Sequence, residues 1–79
     1  MTELLRIMVL YYSCDMAAAV QPLTPDEAAR CIAHYREIKR HFAQGETGPR
    51  ANVTGYLGFK TWEAENAALV ADLRARSAR

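Results

Sequence analysis

The stretch Thr24-Pro25-Asp26-Glu27 constrains this chain more than any other. The threonine is placed to cap a helix, the proline suits the first helical position, and the glutamate three residues on can return a bond to the cap amide. Asp26 and Glu27 also put negative charge at the positive end of the helix dipole. A helix is therefore expected from Pro25 to about Ala43, with Lys39, Arg40 and His41 in its last turns and Gly45 as its stop. In 79 residues there is room for one domain and no second core, so the rest of the chain must pack on this helix.

Upstream, Leu4, Met8, Tyr11 and the Ala18 region recur at helical spacing, with Leu5, Tyr12 and Met16 alongside. A helix over Thr2–Ala19 follows. The competing reading is a strand over Arg6–Ser13, where Ile7, Val9, Tyr11 and Tyr12 suit a pleated surface. Such a strand would lack a partner, because no second run of strand character follows, and helix is the favoured reading. Gln21-Pro22-Leu23 separates the first two helices, and so short a link favours antiparallel neighbours. Residues 44–58 hold all four glycines and Pro49, and read as a long connector whose end, Tyr56 and Leu57, tucks against the core. The last helix is expected over Phe59–Arg76, with Phe59, Trp62, Leu69, Val70 and Leu73 apolar and Arg74, Arg76 and Arg79 as a basic tail. The expectation is an all-α single domain over residues 1–79. It has three helices, at about 2–19, 25–43 and 59–76, and a long glycine-bearing connector before the last.

Hydrophobic residues make up 51% of the chain and the net charge is +1, which favours a folded domain over a disordered chain, a basic nucleic-acid arm or an acidic tail. No stretch approaches the ~20 apolar residues of a membrane span. The apolar run Leu4–Tyr12 is short for a secretory signal, Glu3 replaces the basic start, and Tyr11 and Tyr12 precede Ser13-Cys14 where small residues belong. Two cysteines, Cys14 and Cys31, allow at most one disulfide; they read as two buried thiols in a reducing, cytoplasmic setting.

Catalytic and metal chemistry find little support. Cys31, His34 and His41 share one side of the second helix, but Ile38 lies on the same stripe and zinc needs three or four ligands. Cys31 with His34 as base would sit mid-helix, without the helix-end amides that activate a thiol, and no oxyanion hole can be named. Gly58-Phe59-Lys60-Thr61 is interrupted by Phe59, and no strand precedes it as in a phosphate-binding loop. Asn52-Val53-Thr54 matches a glycosylation acceptor, which means little without a secretory signal. The carboxylates read as caps and solvated faces. No catalytic residue, metal ligand or cofactor is expected.

Two features point to contact work. Phe59, Trp62, Asn66, Leu69 and Leu73 fall on one heptad seam, where Asn66 either sits at the rim of an ordinary core or fixes the register of an association surface. Arg30, Arg36, Lys39, Arg40, Arg50 and Lys60 form a basic excess, read mainly as solvated faces because Glu37, Glu63, Glu65 and Asp72 interleave. The aromatic residues are also many for a small core, and Tyr, Trp and Arg are frequent anchors of interfaces. The expected function is a small non-enzymatic protein–protein interaction module: a regulator, adaptor or inhibitor of a larger protein, of bacterial or phage type. It is expected to bind another protein or itself as a homodimer through Tyr56, Phe59, Trp62, Asn66, Arg36 and Arg40. The alternatives are a nucleic-acid-binding helical module, although residues 44–58 are too long for a helix-turn-helix turn, and an accessory subunit of an enzyme.

Overall fold

The computed structural model describes residues Thr2–Ser77, and Arg79 of the expected basic tail lies outside them. The chain is all-α: four helices and, among the described residues, no strand. They are α1 (Thr2–Val20), α2 (Pro25–Phe42), α3 (Pro49–Glu65) and α4 (Ala67–Ser77). Residues 6–13 are helical. Leu4, Met8 and Tyr12, one turn apart, form the buried stripe of α1.

Helix α2 begins as its sequence dictates. The Thr24 side chain accepts from the Glu27 amide at 3.2 Å, and the Glu27 carboxylate accepts from the Thr24 amide at 2.8 Å. Hydrogen bonding to the Thr24 amide first, and to the Thr24 side chain second, holds the Glu27 carboxyl below its ordinary pKa. The helix ends at Phe42, and the chain leaves through Gln44 and Gly45, both at positive φ.

The long connector is the expectation that the structure corrects. Only residues 43–48 link α2 to α3, and Gly48 (φ 74°, ψ −159°) takes a backbone shape that an L side chain adopts only under strain. Pro49 then opens α3 at a first-turn position, where its missing N–H costs nothing. Gly55 and Gly58 lie inside α3, on the side that meets α2. A Cβ at Gly55 would stand 2.2 Å from the Lys39 carbonyl oxygen, and one at Gly58 would stand 3.1 Å from the Phe42 Cβ. What reads as loop composition is a smooth face on which two helices press backbone to backbone.

The single expected helix over 59–76 is two helices that bend at Asn66 (φ −124°, ψ 38°). Its side-chain amide donates to the Trp62 carbonyl at 2.9 Å, sharing that acceptor with the Asn66 backbone amide, which also donates at 2.9 Å. The Asn66 carbonyl in turn accepts from the Val70 amide at 2.9 Å, which starts α4. The bend returns α4 to α1, where the Ser77 hydroxyl lies 3.0 Å from the Val9 carbonyl and Arg74 meets Asp15 at 3.1 Å.

α1 packs between α2 and α4, α2 packs between α1 and α3, and the Asn66 bend closes the circuit. Tyr12, Phe59, Met8 and Ile38 are the largest fully buried side chains, each removing apolar surface worth about 1.5–3 kcal/mol. The molecule is flat, at 33 × 31 × 19 Å. Cys14 and Cys31 are not two buried thiols: they form a disulfide between α1 and α2, with Cα atoms 5.7 Å apart. In chain-entropy terms, closing a loop of this length contributes roughly 3 kcal/mol.

The Gly55 contact is directly testable. Gly55→Ala is expected to destabilise the fold by about 1–3 kcal/mol despite alanine's better helix propensity, lowering the melting temperature by roughly 5–20 °C. Thermal circular dichroism at 222 nm measures it; an unchanged midpoint would mean that α2 and α3 do not approach this closely.

Candidate functional site

The exposed chemistry concentrates on one surface built by α1, α2 and α3. Tyr11 and Tyr35 stack with ring centroids 5.1 Å apart and planes within 15°. Phe59 lies beneath both, edge-on, at 5.9 Å from Tyr11 and 6.2 Å from Tyr35. The two tyrosines are thus half-buried over a rigid aromatic floor. Lys39 holds its ammonium 4.6 Å from the Tyr35 ring centre while donating to the Asn52 side chain at 2.5 Å. Tyr56, 44% exposed, lies one turn before Lys60, whose ammonium stands 5.9 Å from the Tyr56 ring. Cations over aromatic faces in this range are attracted by the ring quadrupole.

A polar relay underlies this surface. The buried Tyr12 hydroxyl donates to Glu63 at 2.6 Å, and Lys60 donates to the other carboxylate oxygen at 3.1 Å. Arg74 lies 5.1 Å over the Tyr12 ring and pairs with Asp15. Burial, reinforced by the bond to Glu63, pushes the Tyr12 hydroxyl far above its usual range. Burial and the nearby Asp15 carboxylate raise Tyr11, and burial raises Tyr35. At Lys60 burial works against the charge, but the bond and charge of Glu63 outweigh it and raise the pKa.

Beside Tyr11 and Tyr35 runs a largely apolar groove of about 200 Å³, walled by the disulfide, Ala18, Leu23 and Ile32. Ile32 is 53% exposed at its edge. A separate groove of about 410 Å³ lies between α2 and the start of α3. It carries Arg36, Lys39, Arg40, Glu46 and Asn52, with Arg40 paired to Glu37.

The structure does not gather the six residues expected to bind a partner. Tyr56 is exposed on α3 beside Lys60, and Arg36 and Arg40 are exposed on α2 in the second groove. Phe59 is fully buried and supports the surface from beneath. Trp62 is half-buried, its ring 6.1 Å from Phe42, and Asn66 caps α3. Tyr11, Tyr35 and Ile32 were missed as a group. Their signal is the cysteine pair: Tyr11 lies three residues before Cys14 and Tyr35 four after Cys31, so an antiparallel register set by the disulfide places them opposite each other.

Among the described residues no group of three or more His, Cys, Asp or Glu could hold a metal ion. Cys31 is bonded to Cys14, and His41 packs edge-on against Phe42 at 5.1 Å. No described helix is long and apolar enough to cross a membrane. Comparison with protein families, curated proteins and solved structures finds no match to this chain.

The raised tyrosines set an alkaline limit. Above pH 10 the unfolded chain releases phenolic protons that folded Tyr11, Tyr12 and Tyr35 retain, and Lys60 shifts stability in the same direction. Stability is therefore full below pH 10 and falls as the pH rises beyond it. Urea midpoints between pH 9 and 12, with tyrosinate absorbance at 295 nm, check this. Tyr12→Phe should flatten the decline, and identical slopes for the two proteins would refute Tyr12's part in it.

Proposed function

We propose that this protein is a small non-enzymatic binding module that regulates, adapts or inhibits a larger protein by occupying part of its surface. The observation that carries this reading is the Tyr11–Tyr35 stack, held on Phe59, flanked by Lys39 and Lys60, and continuous with the apolar groove that ends at Ile32. Half-exposed tyrosines on a rigid support lose little conformational freedom on binding, and such aromatic groups dominate the energetics of interfaces. A second copy of the chain is an alternative occupant, as the sequence led us to expect.

The basic groove favours a second reading. Arg36, Lys39 and Arg40 converge near the first turn of α3, an arrangement suited to phosphate and hence to nucleic acid. Glu46 in the groove and the Glu37–Arg40 pair weaken that field, so it stays second. Cellular setting follows from the cysteines: an oxidising compartment preserves the Cys14–Cys31 bond, whereas a reducing cytoplasm opens it.

Affinity capture from the host, run with the wild type, Ile32→Asp and Tyr35→Ala, tests the contact surface. A partner held by the wild type and lost by both variants, with helical circular dichroism unchanged, is the expected result. Capture that survives both substitutions would overturn it. Salt-dependent retention on DNA that Arg36→Glu with Arg40→Glu abolishes would move the assignment to the second reading.

A further inference from the structure

The core ends before the α1–α2 turn. The buried stripe of α1 stops at Tyr12, and that of α2 begins at Ile38. Between Met16 and Arg30 every side chain is exposed except the half-buried Met16, Leu23 and Ala28. Among the described residues no side-chain hydrogen bond or salt bridge ties residues 16–30 to the rest of the fold; the Thr24–Glu27 pair stays within α2's own first turn, and the Asp15–Arg74 pair lies just before the segment. What holds this helical tip down is a thin apolar contact and one covalent bond. Both cysteines line grooves on either side of the tip, one of about 200 Å³ beside Tyr11 and Tyr35, the other of about 300 Å³ beside Arg30 and His34. The sulfurs are thus within reach of solvent thiols from two directions.

We infer that Cys14–Cys31 is a thiol-responsive clamp: its reduction undocks the tip over residues 16–30 and dismantles the apolar groove, while the four-helix core stays folded. The chemistry is ordinary exchange with a dithiol. A thiolate of the reductant attacks one Sγ, forming a mixed disulfide and expelling the other sulfur as a thiolate that takes up a proton. The reductant's second thiol then displaces the first protein sulfur. Two electrons and two protons pass from the dithiol to the cystine, leaving two protein thiols and a cyclic disulfide. Once released, the end of α1 and the start of α2 are too short to keep their helices docked by propensity alone. Leu23 and Ile32 then no longer face Tyr11 and Tyr35 across a fixed wall. The regulatory meaning of this opening rests on the contact surface proposed above, although the opening itself does not.

Hydrogen exchange read by mass spectrometry tests the clamp on the full chain, with and without dithiothreitol, reduction being verified by two titratable thiols per chain. Exchange across residues 16–30 should quicken on the order of tenfold or more, while peptides covering Leu4–Tyr12, Ile38–Ala43 and Phe59–Leu73 keep their protection. The double variant Cys14→Ser with Cys31→Ser should behave as the reduced wild type and ignore the reductant. If that variant does not fold, the reduced and oxidised wild type remain the deciding comparison. Unchanged exchange in a fully reduced chain would overturn the clamp, as would loss of protection throughout the molecule. Loss of the captured partner with Ile32→Asp but no tip opening sinks the clamp alone; the converse sinks the contact surface alone.

Discussion

The architecture depends on how closely α3 lies against α2. With no side chain at Gly55, the Lys39 carbonyl sits where a Cβ would be, so no other residue fits without moving a helix. Phe59 follows one turn later and is driven fully beneath α1 and α2, where it meets Tyr11, Tyr35 and Phe42 with centroids 5.8–6.2 Å away. A wider gap would lift Phe59 away and leave the tyrosine stack without a floor. The candidate surface is therefore a consequence of the helix crossing, and the crossing is a consequence of a missing side chain.

The second tie is polar. A flat molecule with a thin core cannot exclude every polar atom, and here the buried hydroxyl of Tyr12 answers the Glu63 carboxylate of α3. The same carboxylate binds Lys60, and α4 reaches the same tyrosine through Arg74. A buried donor or acceptor left without its partner costs about 1–3 kcal/mol, more when charged. This set therefore stabilises α1, α3 and α4 in one arrangement more than it adds raw stability. Glu63, read from sequence as one of the interleaved charges of solvated faces, instead makes a long-range bond from near the end of α3, which no local pattern announces.

How much of this was legible in the sequence divides along the range of the interaction responsible. The capping box at Thr24 is local chemistry, and both of its bonds are present. The all-α class follows from periodicity, and the helical reading of residues 6–13 holds because no partner strand exists among the described residues. Gly55 and Gly58 were misread because glycine weakens an isolated helix; only the partner helix reveals why it is needed there. Asn66 was weighed as a seam or rim residue, and nothing in its spacing shows that its side-chain amide would fold back on the Trp62 carbonyl where α3 ends. The cysteine pair was the most informative feature left unused. Joining Cys14 to Cys31 fixes the α1–α2 register, and with it the Tyr11–Tyr35 stack, before any other contact is considered.

That same bond divides the molecule by stability. On one side lie Met8, Tyr12, Ile38 and Phe59, all fully buried, with hydrogen bonds that cross between helices. On the other lies a helical tip whose residues face water almost throughout. Segments with few buried contacts sit at the low end of a protein's stability scale, and binding surfaces are commonly drawn from that end. Here the apolar groove straddles the division, with Tyr11 and Tyr35 on the firm side and Leu23 and Ala18 on the loose one. A surface built across such a boundary has one wall that can move against a fixed one. A single covalent bond at the boundary is then enough to decide whether the groove exists.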